Sequence, residues 1–264
     1  MPEGHTVHRL ARQHLTTFGQ HPVAVTSPQG RFTGAALLDG QVLLGAQAHG
    51  KHEFLHFGAG RWLHVHLGLY GKWTFGTGDP PPPRGAVRVR LAGAGAWADL
   101  RGPIECAVID DGEVAAVRAR LGSDPLRRDG DPAAAGARVR RSGKSLGALL
   151  MEQDVIAGVG NVYRAEALFR GRLDPWRPGR DLDPDRWLAL WTDLVVLLRD
   201  GVRRGRIVTT APADRSRRGG AVLAEDACYV YRRAGLPCRV CGTAVLAEPM
   251  AGRTLYRCPH CQRD

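Results

Sequence analysis

The chain is 264 residues long, enough for two domains with cores of their own. It has no run of 18 apolar residues and no basic-then-apolar leader pattern, which excludes a membrane-spanning helix and points to a soluble, cytoplasmic protein. The net charge of +11 is unevenly placed: residues 1–114 hold 10 Lys/Arg and 9 Asp/Glu, a net of +1, whereas residues 115–264 hold 27 and 17, a net of +10. A GC-rich coding bias explains part of the amount, since 34 of the 37 basic residues are Arg, but it does not explain the asymmetry. A positive charge gathered in one half suits a polyanionic partner.

The chain opens Met1-Pro2-Glu3-Gly4. Removal of Met1 ahead of a small residue leaves Pro2 with a free secondary amine. With a pKa near 7.7–8.0, roughly a third of such an amine is neutral at pH 7.5, against about a thousandth of a lysine. Its adduct with an aldehyde carbon is a charged iminium, a good electron sink, and Glu3 beside it is a candidate proton donor. A lone Met-Pro start usually has no role; it acquires one only if the rest of the chain builds a site for a sugar carbon.

Residues 5–18 carry Val7, Leu10, Ala11, His14, Leu15 and Phe18 at helical spacing, ending at Gly19, which predicts an amphipathic helix anchoring the N-terminus. Short β-type runs follow at 22–26, 41–48, 53–57, 62–67, 72–75, 86–91, 97–100 and 105–110, the spacing of a β-sandwich. Lys51, one of three lysines, follows Gly50 at the start of such a run and can reach into a cleft or lie solvated on an edge. His64 and His66 share one side of a strand; with no third ligand at useful spacing, hydrogen bonding is favoured over a metal pair. Gly68-Leu69-Tyr70-Gly71 reads as a turn carrying an aliphatic and an aromatic side chain, either core residues or a wedge for a vacated base position. Pro80 to Pro83 form a stiff loop within the domain.

A linker is expected over 121–137, where Asp124-Pro125 and Asp131-Pro132 punctuate the chain. Helical patterns come next at 145–152, 161–169 and 184–199, the last with Trp187, Leu190, Trp191, Leu194 and Leu198 on one face. Between the first two the chain turns on Gly158 and Gly160, and Asn161 is expected to cap the following helix. Backbone N–H groups at such a start form an anion site suited to one phosphate, although an ordinary helical hairpin has the same pattern. Residues 203–220 are charged and aperiodic, the pattern of a mobile loop. Cys238-x-x-Cys241 and Cys258-x-x-Cys261, sixteen residues apart, have the spacing of a structural four-thiolate zinc site on a β-hairpin. Cys106 and Cys228 are isolated and read as small buried residues. The hairpin presents Arg253 near its tip, a natural phosphate contact.

These pieces together resemble the formamidopyrimidine-DNA glycosylase and endonuclease VIII family. The resemblance runs through Pro2-Glu3-Gly4, Gly50-Lys51, the stretch Asp154 to Tyr163, and the hairpin with Gly252-Arg253-Thr254 and Cys258-Pro259-x-Cys261. Pro2-Glu3-Gly4-His5-Thr6 looks most like the actinobacterial endonuclease VIII-like branch. The resemblance implies an α+β protein: a catalytic N-terminal β-sandwich domain with an N-terminal helix (2–120), the linker (121–137), a helix–two-turns–helix domain (138–227) and a zinc-ribbon hairpin (228–264). It implies a bifunctional glycosylase and abasic-site lyase, acting as a monomer on damaged double-stranded DNA, with one structural zinc and no nucleotide cofactor. Pro2 would be the nucleophile and Glu3 the acid. Lys51, Asn161 and Arg253 would contact phosphates around a flipped nucleotide, with Gly160 and Arg101 in the DNA-binding surface and Leu69 and Tyr70 as the wedge. Two departures limit what the resemblance carries over: Thr6 stands where many relatives have a second glutamate, so that residue's supporting role does not transfer, and Leu100-Arg101-Gly102-Pro103 lacks the aromatic of the purine-directed branch. That missing aromatic, with Gly68-Leu69-Tyr70 resembling the endonuclease VIII wedge, makes oxidised pyrimidines the expected lesions. The alternatives are a purine-directed glycosylase, a non-catalytic damage-binding protein and, on weaker grounds, a metal hydrolase built on His64 and His66.

Overall fold

A computed structural model describes residues 2–217 and 219–263. The chain divides into two units, residues 1–120 and 121–264.

In the first unit, α1 (Gly4–Phe18) starts where the Glu3 carbonyl accepts from Thr6 N–H (2.9 Å), and it buries Val7, Ala11, His14 and Phe18 on one face. Eight strands follow, interrupted only by the short α2 (Ala35–Leu38): β1 (Pro22–Thr26), β2 (Gln41–His49), β3 (His52–Phe57), β4 (Arg61–His66), β5 (Lys72–Thr77), β6 (Val87–Gly93), β7 (Ala96–Arg101) and β8 (Glu105–Ile109). They form one antiparallel sheet in the order β5-β7-β6-β1-β2-β3-β4-β8. Strand β1 is the fold line: Pro22 and Val23 pair with β2, while Ala24 to Thr26 pair with β6. The two halves share a single core, with Leu43, Leu55, Leu63 and Val65 from one half and Val89, Leu91, Ala98 and Leu100 from the other. That arrangement is a β-sandwich, and α1 packs on its β2 and β3 strands. The unit ends in α3 (Asp111–Ala119), which begins with a capping box: Asp110 accepts from Glu113 N–H and Glu113 accepts from Asp110 N–H.

The second unit is helical around α4 (Pro132–Arg140), α5 (Leu146–Leu149), α6 (Asn161–Arg170) and α7 (Pro184–Arg204), and closes with the hairpin β9 (Leu246–Met250) and β10 (Arg253–Arg257). Trp187, Leu190, Trp191, Leu194 and Leu198 of α7 are buried against Tyr163, Leu168 and the α4–α5 residues Val139, Leu146 and Leu149. Among the described residues, no helix is long and apolar enough to cross a membrane.

Three expectations are corrected here. Residues 132–137, expected as linker, are helical, because Asp131 accepts from the N–H groups of Ala133 (2.8 Å) and Ala134 (3.0 Å) while Pro132 fills the first turn; Asp-Pro is here a helix start. The helix expected over 145–152 is one turn, 146–149. The stretch expected as a mobile loop begins inside α7, which runs to Arg204 and stops on left-handed Gly205. Beyond it Thr210 Oγ1 donates to Asp226 O (2.6 Å), Thr209 N–H to Ala227 O (2.8 Å), and the Ser216 N–H to the Asp226 carboxylate (3.1 Å). The Asp226 and Ala227 carbonyls and the Asp226 carboxylate thus tie down a segment that has no periodicity.

Candidate active site and nucleic-acid interface

At the N-terminus, Pro2 is half-buried and Glu3 is fully buried as the residue preceding α1. The next ring, His5, is pushed down to about 4 by burial, with the charged chain terminus adding to the effect; it is therefore a neutral imidazole at pH 7. His5 Nε2 and Thr6 Oγ1 are 3.2 Å apart, so Thr6 serves the neighbouring ring where an acid was absent from the sequence. Helix α1 is pinned by a buried carboxylate that sequence reading missed. Glu53 on β3 accepts from His14 Nδ1 (2.8 Å) and from Trp73 Nε1 (2.9 Å), joining α1, β3 and β5. Only the sheet register reveals this triad, because its members lie far apart in sequence.

Lys51 sits on the tight β2–β3 turn, which left-handed Gly50 (φ 59°) allows. Behind it lies a set of imidazoles. His52 Nδ1 and His64 Nε2 share a hydrogen bond (2.9 Å), and His66 meets His52 edge-on with centroids 4.6 Å apart. Burial, reinforced by their mutual charges, pushes His52 down to about 3 and His64 to about 4; burial and then the Lys51 charge lower His66. These rings are neutral hydrogen-bonding groups. Among the described residues, only the four paired cysteines bring three or more metal-ligating atoms together, and His64 and His66 are not part of such a group.

His66 also shapes the turn that follows it. Its Nδ1 accepts from Gly68 N–H (3.0 Å), and Gly71 N–H donates to Leu67 O (2.9 Å), closing the turn that carries Leu69 and Tyr70. Gly68 is left-handed (φ 66°), and a Cβ there would lie 2.5 Å from Ile104 Cγ2. Leu69, Tyr70 and Ile104 are 41%, 88% and 71% exposed, so three apolar side chains project together from this end of the sandwich. Ile104 was not singled out from the sequence; its position beside Gly68 depends on the β4–β8 pairing. Arg101 is partly committed within the unit, donating to Asp99 Oδ2 (2.9 Å) and Arg84 O (3.0 Å), while Asp99 also holds Arg90 (2.6 Å).

In the second unit, the turn before α6 is closed by Gln153, which accepts from Gly158 N–H (3.0 Å) and donates to Val159 O (2.9 Å). Asn161 is not the cap. Gly160 takes that place, and Asn161 is the first helical residue, its amide nearly buried. Its Nδ2 donates to Thr254 O (2.9 Å) and its Oδ1 accepts from Arg164. Asn161 is thereby tied to the strand that carries exposed Arg253. Arg164, fully buried, also donates to Met250 O (3.3 Å) at the other side of the hairpin tip. Glu166 accepts from the backbone N–H groups of Tyr229 (2.7 Å), Val230 (2.8 Å) and Tyr231 (2.8 Å) and from Thr209 Oγ1. Two buried charged groups of α6 thus fix the hairpin and the segment leading to it, and neither is visible as a motif.

The Sγ atoms of Cys238, Cys241, Cys258 and Cys261 lie within 4.8 Å of one another, with Cys238–Cys261 at 4.0 Å and Cys241–Cys258 at 3.4 Å. Four thiolates 2.3 Å from a tetrahedral ion would stand about 3.8 Å apart, so the set fits a metal and no pair is at bonding distance for a disulfide. Thr243 holds the Cys241 thiol down at about 6, while burial and neighbouring thiols push Cys258 and Cys261 up. Four crowded thiols cannot all ionise without a cation among them. The hairpin tip turns on left-handed Ala251 (φ 51°) and Gly252 (φ 68°).

The family model described as the formamidopyrimidine-DNA glycosylase N-terminal domain matches residues 1–104, and the one for the H2TH domain of the same glycosylase matches residues 121–212. The chain is 52% identical over 267 residues to endonuclease 8 1 of Mycobacterium tuberculosis, covering 99% of this chain and 100% of that protein. It is 31% identical over 266 residues to the formamidopyrimidine-DNA glycosylase of Thermus thermophilus, covering 100% and 98%. The crystal structure of the Thermus thermophilus MutM (Fpg) protein superposes with a TM-score of 0.79 at 30% identity over 99% of this chain and 98% of that one. The Lactococcus lactis Fpg complexed with abasic-site DNA shares the fold, with a TM-score of 0.81 at 22% identity over 99% and 100% of the two chains.

Proposed function

Because the chain belongs to the formamidopyrimidine-DNA glycosylase and endonuclease VIII family of DNA-repair glycosylases, we propose that it excises oxidised bases and then cleaves at the abasic site, with Pro2 as nucleophile. The observation that carries this is the half-buried Pro2 directly ahead of a fully buried Glu3, at the start of a helix pinned into the sandwich.

With Met1 removed, the Pro2 nitrogen attacks C1′ of the damaged nucleotide. The C1′–base bond breaks, and the base leaves with its electron pair and takes the proton that the Pro2 nitrogen gives up. Glu3 donates a proton to the sugar ring oxygen, and the C1′–O4′ bond breaks to leave a C4′ hydroxyl and a C1′=N iminium. The resulting iminium acidifies the C2′ proton, whose loss expels the 3′ phosphate; a second elimination expels the 5′ phosphate, and water releases Pro2 from the sugar remnant. Lys51, Asn161 and Arg253 hold phosphates around the site, with Gly160 at the helix start. Leu69 and Tyr70, joined by Ile104, fill the space of the flipped base, and Arg101 lies at the margin of that surface. The four cysteines hold one zinc ion, which keeps the Arg253 hairpin rigid and takes no part in bond breaking.

Oxidised pyrimidines such as thymine glycol are the proposed lesions. They have lost aromaticity, stack poorly and are easier to extrude than a normal base, and apolar Ile104 stands near the place where an aromatic was missing. The formamidopyrimidine-DNA glycosylase relatives favour a second reading, with purine lesions as substrates. Borohydride added to the protein on abasic-site DNA tests the chemistry: a trapped adduct at the mature N-terminus is expected, and an adduct at Lys51 rejects it. Single-turnover rates on thymine glycol and on 8-oxoguanine opposite cytosine separate the two substrate classes; faster excision of the purine overturns the pyrimidine reading.

A further inference from the structure

The end of α6 opposite Asn161 has a backbone arrangement that packing alone does not explain. The helix is closed by Arg172 N–H on Phe169 O (3.0 Å) and Leu173 N–H on Leu168 O (2.9 Å). This closure needs a left-handed residue, ordinarily glycine or asparagine. Arg172 occupies that position at φ 49°. A glycine stands one place earlier, at Gly171, where a Cβ would come within 3.2 Å of Leu173 and 3.3 Å of Ala167 O. The chain therefore keeps an exposed arginine where the backbone disfavours any side chain, the kind of outlier that accompanies a binding role.

Arg186 on α7 donates to the carbonyl oxygens of Gly171 (3.4 Å) and Arg172 (3.2 Å), which sets its guanidinium against the backbone of this turn, and it lines the same cavity as Arg172. Arg170 is matched by Asp193 through two bonds (2.7 and 2.6 Å). The three arginines and this single acid line a cavity of about 410 Å³, whose apolar wall is formed by Phe169, Leu190 and Val240 of the first cysteine knuckle. Val240 is half-exposed, and the cavity adjoins an outer face of α7 where Leu188 and Val196 are also exposed. The cavity lies at the C-terminal end of a ten-residue helix that begins with Asn161; about 15 Å of helix separates the two, too far for one phosphate to touch both.

A groove with a net positive floor and an apolar wall suits a segment that carries carboxylates and a large apolar side chain; a bare phosphate backbone would leave the wall unused. We propose that this groove docks an acidic peptide segment of a partner protein. Its carboxylates rest on Arg172 and Arg186, and an aliphatic or aromatic side chain lies against Phe169, Leu190 and Val240.

The test uses the full-length, zinc-loaded protein and a fluorescein-labelled peptide of consecutive aspartates ending in Leu-Phe, with a control peptide in which asparagine replaces each aspartate. Anisotropy should report binding of the acidic peptide alone. Arg172→Gly relieves the backbone, so its melting temperature should hold or rise while peptide affinity falls about tenfold, the loss of one charge-assisted contact. Ala189→Glu, which places a carboxylate in the groove, should weaken the peptide similarly, and both variants should retain borohydride trapping on abasic-site DNA. The proposal is overturned if both variants bind the peptide like wild type or if the asparagine peptide binds equally well. It is also overturned if undamaged duplex displaces the peptide and Arg172→Gly weakens duplex binding, which would assign the arginines to the DNA surface. A concentration-dependent dimer abolished by Ala189→Glu would assign the groove to a second copy of the chain and reject a partner peptide.

Discussion

Pro2 and Glu3 are adjacent, yet their proposed roles fall on different bonds, so mutation should separate them. Pro2→Gly, or retention of Met1, removes the secondary amine and should abolish trapping and strand cleavage together; a fully active Pro2→Gly protein would falsify the nucleophile assignment. Glu3→Gln should lose base excision by about two orders of magnitude or more, the usual worth of a positioned acid. It should keep appreciable cleavage of preformed abasic sites, where the open aldehyde is already available. Equal loss on both substrates would mean that the buried Glu3 mainly holds the start of α1. The histidines behave differently, because burial holds His52 near 3 and His64 near 4. Unfolded imidazoles take up protons near 6.5 while the folded ones do not, so these groups cost stability progressively as pH falls from about 6.5 toward 4. Thermal melts across that range should show the decline, and His52→Asn, which cannot titrate, should flatten it. Unchanged pH dependence in His52→Asn would remove His52 from the account.

At the scale of elements, α6 organises the second unit more than its length suggests. Its N-terminal residue reaches β10 through the Asn161–Thr254 bond, Arg164 reaches the end of β9, and Glu166 gathers three N–H groups of residues 229–231. Removing the Glu166 carboxylate leaves those buried donors without their acceptor, at a cost on the order of 2–4 kcal/mol. Glu166→Ala should therefore lower the melting temperature and speed zinc release to a chelator, and Glu166→Gln, which keeps one acceptor oxygen, should fall between it and wild type. Wild-type melting and metal retention in Glu166→Ala would show that the knuckles hold the hairpin unaided. Helix α1 depends in the same way on the Glu53 carboxylate between His14 and Trp73, contacts made across 39 and 20 residues of sequence.

For the whole molecule, the uneven charge yields a solution property. Phosphate contacts release counterions, so affinity for duplex DNA should fall steeply with salt, and Arg253→Ala should lower the salt slope by about one while weakening all sequences alike. An unchanged slope would leave Arg253 outside the phosphate-binding set. The sequence by itself determined the sandwich strands, α1, the long α7 and the four-cysteine hairpin. Period-two and period-3.6 patterning and fixed cysteine spacing are local properties, set by backbone geometry within a few residues. It also singled out Pro2-Glu3, since a terminal amine and its neighbour need no fold to be recognised. Only the tertiary structure decided that Asp131-Pro132 starts a helix, that Gly160 rather than Asn161 caps α6, and that Asp226 tethers the segment after α7. The same holds for Ile104 beside Leu69 and Tyr70, and for the buried Glu53, Arg164 and Glu166. In each case the deciding partner lies distant in sequence, or the alternative was equally good locally. A buried polar group is stable only where the fold brings its partners within about 3 Å, and no sequence window contains that information.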